Sequence, residues 1–346
     1  MTRAWAPLVV ILALLSAAPL LWGCERRSRS ETKSIDLSPP PPMPTAPAPD
    51  APELAASAAS SSTAAPAPLP LARERGGRAP VACARDTKFP DYFDLAEASA
   101  AAEVEIVPGK RELILVSDSG NKGAALLWPI GGGAVRTIAL ALDGTASDDI
   151  EGISWARDAA KVGHLYTLTS SGAVRRFTAD GKGGLVRDHD AYRLGPPPAT
   201  CVALQSANCG RNYEGLCLRS KRARCAGYAA SKDKSTLHCL VFESGRLVAD
   251  PIKPPITLPL RARALSDCAF GAEGGPAEDV LVVTTNVYGN NASYIVDEAT
   301  GELTPIDVPG TFNNEAIALD HTGALYQMMD TNGEVSPGFR MECSGW

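Results

Sequence analysis

Three glutamates recur in one setting. Glu151 stands in Asp149-Ile150-Glu151-Gly152-Ile153, Glu214 in Asn212-Tyr213-Glu214-Gly215-Leu216, and Glu315 in Asn313-Asn314-Glu315-Ala316-Ile317. Each precedes a small residue and an aliphatic one, and each leads into a strand-like run. If such carboxylates meet, their mutual repulsion must be relieved by protons or by a cation. Calcium suits a site of this kind, because it takes six to eight oxygens from carboxylates and carbonyls at about 2.4 Å. The expected ligand set is Glu151, Glu214, Glu315, Asp267 and Asn314, with Asp148, Asp149, Asn212 and Asn313 alongside. The competing expectation is structural: each glutamate accepts backbone N–H groups from a neighbouring element and fastens the two together. Other chemistry is not legible. The chain has no Gly-x-Ser-x-Gly elbow, no His-Glu-x-x-His and no P-loop. His164 and His321 lie in or beside strand-like runs and read as structural. Whether the chain is an enzyme stays open at this level.

The elements around the glutamates are strands. Glu112-Leu113-Ile114-Leu115-Val116 and Val280-Leu281-Val282-Val283-Thr284 are near-continuous apolar runs, as in strands buried on both faces. Turn clusters separate such runs, among them Gly131-Gly132-Gly133, Asp143-Gly144 and Thr300-Gly301. One short helix candidate, Asp94 to Ala102, is rich in alanine and can equally be a strand entering the fold. Two further copies of the motif extend the series. In Ala264-Leu265-Ser266-Asp267-Cys268 a serine replaces the glutamate, and Glu103-Val104-Glu105-Ile106-Val107 is a more decayed copy. The anchors 103, 151, 214, 266 and 315 lie 48, 63, 52 and 49 residues apart. A period near 50 residues in an all-β chain predicts a β-propeller, whose equivalent positions converge on one axis. Five to seven blades fit, with six favoured, the sixth built from both ends of the chain or from residues 170–210.

The first residues predict export. Arg3 and the apolar run Leu8 to Leu21 form a signal segment over 1–23, too short to span a bilayer comfortably. It closes on Leu21-Trp22-Gly23-Cys24, which resembles a bacterial lipobox and implies acylation of Cys24. Membrane attachment through Cys24 is thus the first expected partnership. Glu25 in the next position resembles the class sorted to the outer membrane, so the expected location is the bacterial cell envelope. Residues 24–82, with Ser38-Pro39-Pro40-Pro41-Pro42 and then alternating Ala, Pro and Ser, hold too little apolar surface to fold. They predict a disordered tether reaching between about 40 Å and about 170 Å. Residues 83–346 form the propeller domain. Of nine cysteines, removing Cys24 leaves eight, an even number in an oxidising compartment. Cys83 opens the domain and Cys343 nearly closes it, so a bridge between them would fasten a circular fold. The net charge of −6 argues against nucleic acid as a partner. The run Arg219 to Arg224 reads as a solvated loop able to meet an envelope polyanion. A monomer is expected.

The cadence of Asp149 to Trp155, Asn212 to Leu218, Ala264 to Phe270 and Asn313 to Asp320, with Leu115-Val116-Ser117-Asp118-Ser119-Gly120, resembles the SdiA-regulated and esterase-like-phytase propeller group. That resemblance covers most of 100–330. It implies acidic positions facing the central channel, often with a divalent cation, usually calcium. The function it favours is a binding or scaffold module holding a cation or small ligand. An alternative comes from Ile150-Glu151-Gly152-Ile153-Ser154-Trp155, which resembles the first-blade signature of gluconolactonase-like propellers, with Ile153 in place of proline. It implies a metal-dependent hydrolase of a lactone, ester or phosphoester, with Asp267 and Asn313 or Asn314 as further ligands.

Overall fold

A computed structural model describes residues 81–346 apart from 119, 197–200, 222, 261–263, 287–292, 309–313 and 332–333. The signal segment, Cys24, the tether up to residue 80 and Asn313 lie outside the described residues. Two strands come first, β1 (Val81–Arg85) and β2 (Tyr92–Ala96). Five antiparallel blades follow, the last two joined into one nine-stranded sheet because β1 also pairs parallel with the last strand of the fourth. Blade one is β3 (Ala98–Val107), β4 (Lys110–Ser117), β5 (Ala124–Pro129) and β6 (Arg136–Ala139). Blade two is β7 (Ile150–Arg157), β8 (Gly163–Thr169) and β9 (Ala173–Ala179), edged by β10 (Leu185–Arg187) and β11 (Tyr192–Arg193). Blade three is β12 (Tyr213–Leu218), β13 (Gly227–Ser231) and β14 (Thr236–Glu243), edged by β15 (Arg246–Ala249) and β16 (Ile256–Thr257). Blade four is β17 (Ala264–Phe270), β18 (Leu281–Asn286), β19 (Ser293–Val296) and β20 (Leu303–Asp307). Blade five is β21 (Asn314–Leu319), β22 (Ala324–Met329) and β23 (Val335–Ser344), completed by β1 from the other end of the domain.

The inner strands β3, β7, β12, β17 and β21 pack each on the next, and β21 packs on β3, so the ring closes with five blades. This is a β-propeller. Five is the low end of the expected range, and the sixth blade favoured from sequence is not formed among the described residues. The chain ends do pair as expected, but they complete blade five: β1 lies antiparallel to β23, with Cys83 opposite Cys343. Residues 170–193 belong to blade two. The alanine-rich stretch 98–102 is strand, not helix, because small side chains let β3 enter the crowded centre between β21 and β7.

Five apolar clusters fill the five clefts between blades. One joins Val104, Ile114 and Leu127 of blade one to Ile153 and Phe177 of blade two, and another joins Tyr228 and Leu237 of blade three to Leu265 and Tyr294 of blade four. Every sheet is therefore covered on both faces, which explains the continuous apolar runs at Leu113–Val116 and Leu281–Val283. Four disulfides reinforce the ring: Cys83–Cys343 joins its ends, Cys217–Cys268 ties the inner strands of blades three and four, Cys225–Cys239 lies within blade three, and Cys201–Cys209 closes a loop.

Candidate metal centre at one mouth of the propeller

Each inner strand carries a bulge near its start. Register shifts occur between Ala98 and Ala100, Ile150 and Gly152, Tyr213 and Gly215, Leu265 and Asp267, and Asn314 and Ala316. The extra residues are Ser99, Glu151, Glu214, Ser266 and Glu315. A bulge leaves its extra residue outside the ladder and re-aims its side chain. The recurring motif is thus a bulge at the same level of all five blades. The fifth copy is Ser99, four residues before the expected Glu103. Glu103 instead accepts from Arg111 at 2.5 Å and from His321 Nδ1 at 2.9 Å, farther along the strand. The small residue after the bulge has a steric reason. A Cβ on Gly152 would collide with the Leu216 nitrogen of the next inner strand, and one on Gly215 would come 2.5 Å from Asp267 Oδ1.

A second ring comes from the far end of each second strand. The first residue past the bulge pairing is Asp118, Ser170, Lys232, Asn286 and Asp330 in blades one to five. The two rings meet. Ligand oxygens of Asp118, Asp149 and Glu151 lie within 4.8 Å of one another. Glu214, only 3 % exposed, accepts from Lys232 Nζ at 2.9 Å and from Asn212 Nδ2 at 2.8 Å. Glu315 accepts from Asn286 Nδ2. The three glutamates therefore converge, with Lys232 among them.

The electrostatics follow from burial and crowding. Burial pushes the Glu151 carboxyl well above the usual range, and the charges of Glu214, Asp118, Asp149 and Glu315 push it further. Burial raises Glu214 to about 7, even with Lys232 opposing, and Glu315 to about 8. Asp149, 1 % exposed, is also raised by burial despite accepting from Ser170 Oγ. Against the cost of its own burial, the field of Glu214, with Glu315 and Glu151, raises the pKa of Lys232.

Two devices hold Asp149 in place. Arg175, fully buried on β9, donates Nη2 to the carbonyls of Ala146 and Ser147 at 2.8 Å each. The loop tied by Cys201–Cys209 covers the same spot: Asn208 N donates to Ser170 Oγ at 2.8 Å and Ser147 N to Leu204 O at 3.1 Å. That loop occupies the longest interval in the repeat, between anchors 151 and 214.

The remaining expected ligands serve elsewhere. Asp267 is 2 % exposed, and its Oδ1 accepts from Cys268 N at 2.7 Å while Oδ2 accepts from Ile317 N of the next blade at 2.8 Å. It is a blade fastener. Ser99 Oγ, donating to Ile150 O at 2.5 Å, and Ser154 Oγ, accepting from Leu218 N at 2.9 Å, do the same work in other clefts. Asn314 is fully buried and donates to Thr284 Oγ1 at 3.5 Å. Fastening thus falls to these neighbours, while Glu151, Glu214 and Glu315 face one another. Sequence reasoning missed Lys232 and did not assign Asp118 to the cluster. Aligning the second strands would have found Asp118, since Val116-Ser117-Asp118 and Met328-Met329-Asp330 end alike, whereas Lys232 has no such likeness.

The donors are oxygens alone in the Asp118–Asp149–Glu151 group, from carboxylates that burial makes costly to ionise unpaired. That set fits a hard divalent cation better than zinc, which prefers nitrogen and sulfur. Neither a protein-family model nor a curated protein matches the chain. Among solved structures, a virginiamycin B lyase from Staphylococcus aureus aligns at 13% identity over 72% of this chain and 72% of its own, with a TM-score of 0.36. The RRP9 WD40 repeats align at 8% identity over 75% and 99%, with a TM-score of 0.42. The PQQ-bound aldose sugar dehydrogenase from Streptomyces coelicolor aligns at 13% over 76% and 98%, with a TM-score of 0.41. At these scores the propeller rests on the chain's own strand pairing and ring closure, and none of their chemistry carries over.

Proposed function

We propose that this chain is an exported, lipid-anchored β-propeller of the SdiA-regulated and esterase-like-phytase type, working as a binding or scaffold module at the bacterial envelope. In this reading it holds a divalent cation, calcium foremost, at its carboxylate mouth. The observation that supports it is the convergence of Asp118, Asp149 and Glu151 within 4.8 Å, where burial disfavours three separate negative charges. Asp118, Asp149 and Glu151 would hold the ion, and Glu214 and Glu315 would stand behind them with Lys232. The bound ion would neutralise the mouth and offer open coordination positions to a ligand. The hydrolase alternative has less support, because its required Asp267 already spends both oxygens on backbone N–H groups.

The test is a melting curve of the protein in chelator and in millimolar calcium. Calcium raises the melting temperature of the parent, and Glu151→Gln abolishes most of that rise. An unchanged curve would sink the cation reading and leave the mouth as a proton-sharing cluster. Anchoring is tested separately by fractionating cells that express Cys24→Ser, which should release the protein from the membrane.

A further inference from the structure

The mouth opposite the carboxylate rings opens into a cavity of about 1090 Å³. Its floor takes one small or aliphatic residue from each inner strand: Ala101, Ile153, Leu216, Ala269 and Ala318. Aromatic walls rise above it, with Trp155 and Phe270 lining the cavity and Phe242 packed on Tyr166 at 5.9 Å. Phe242 is 48 % exposed, high for so large an apolar side chain.

Charge at the rim is unbalanced. Five carboxylates line the cavity, and each already has a partner. Glu103 meets Arg111 at 2.5 Å, Glu105 and Glu273 meet Arg157 at 2.7 and 3.5 Å, Glu278 meets Lys221 at 3.3 Å, and Asp158 meets His164 at 3.3 Å. The cations left over are different. Lys161 and Arg224 are exposed and have no ion-pair partner among the described residues. The Arg219 side chain is 10 % exposed and sits 4.5 Å over the Phe270 ring. Its Nη2 donates to Glu298, and the residue lines the cavity. A guanidinium carries five N–H donors, more than one carboxylate partner uses, so Arg219 can also meet a planar or tetrahedral oxyanion.

We infer that this cavity is a binding site for a single-chain anionic amphiphile, its carboxylate or phosphate head held by Arg219, Arg224 and Lys161 and its apolar tail laid over the floor toward the channel. The pairing of Glu103, Glu105 and Glu278 with Arg111, Arg157 and Lys221 favours an anionic head over a cationic one. The small floor residues admit a slender alkyl chain, and the aromatic walls cover it. This site is independent of the cation centre, which lies at the other mouth.

The test uses the full chain carrying Cys24→Ser, so that no acyl group of its own competes, and titrates decanoate and decyl phosphate below their micelle concentrations by calorimetry. Saturable one-to-one binding of either, with decanol at least tenfold weaker, supports the site. Arg219→Lys should weaken binding about tenfold. Arg224→Ala, at an exposed position, should weaken it about threefold with the melting temperature unchanged, which separates loss of binding from loss of fold. Chelator should leave the binding as it is. Equal binding of decanol and decanoate, no saturable binding of either anion, or parent affinity in both variants would overturn the proposal.

Discussion

Lys232 Nζ lies 2.9 Å from Glu214 Oε2, at the point where three glutamates from different blades face one another. The lysine thus does part of what a bound cation would do, and it does so in a fixed place. On the other side of the mouth, ligand oxygens of Asp118, Asp149 and Glu151 lie within 4.8 Å of one another. Lysine on one side and an ion on the other would together neutralise the rings.

Replacing Lys232 with Met should therefore have two opposed effects. In chelator the protein loses about 1–3 kcal/mol, because Glu214 is left buried without its ammonium partner. Calcium then binds about tenfold more tightly, since a like charge a few ångströms away has been removed. Denaturant melts and calcium titrations of the same variant measure both.

The pH dependence has a definite sign. Glu214 and Glu315 titrate at about 7 and about 8 in the fold, against 4.5 for an ordinary glutamate. Between those values the folded state binds more protons than the unfolded one, so stability falls as pH rises. In chelator the stability present below pH 4.5 should be lost by pH 8 to 9, by a few kcal/mol. Calcium should flatten the slope and release protons on binding, which melting curves and unbuffered titrations would record.

Asp267→Asn separates a fastener from a ligand. The amide can keep one of the two backbone N–H contacts and loses the charge that strengthens both. Stability should fall by about 1–3 kcal/mol while calcium affinity stays within a factor of two. A large loss of affinity with little loss of stability would return Asp267 to the ligand set.

Removing the closing bridge with Cys343→Ser, paired with Cys83→Ser, should cost up to about 5 kcal/mol, because the crosslink spans 260 residues of chain. The pairing of β1 with β23 should persist at low temperature, so hydrogen exchange would show blade five opening first on warming.

The sequence by itself determined the repeat, the all-β class and the positions of Glu151, Glu214 and Glu315. It could do so because those features are local. A bulge followed by a residue small enough for the next strand to approach must be written at each inner strand, and Gly152, Gly215 and Ala316 record that need. The alternation of apolar runs and glycine turns is equally local. What only the tertiary structure decided lies across the clefts and at the closure. It set the ring at five by pairing β1 with β23, and it moved the fifth anchor from Glu103 to Ser99, where register rather than charge identifies the bulge. It also divided similar carboxylates into two kinds of work. Asp267 meets Ile317 N because blade five's inner strand runs beside it, whereas Glu151 meets other carboxylates because the second strand of blade one ends there in Asp118. Neighbours some thirty to fifty residues apart in the chain make that difference, and no single motif contains both partners.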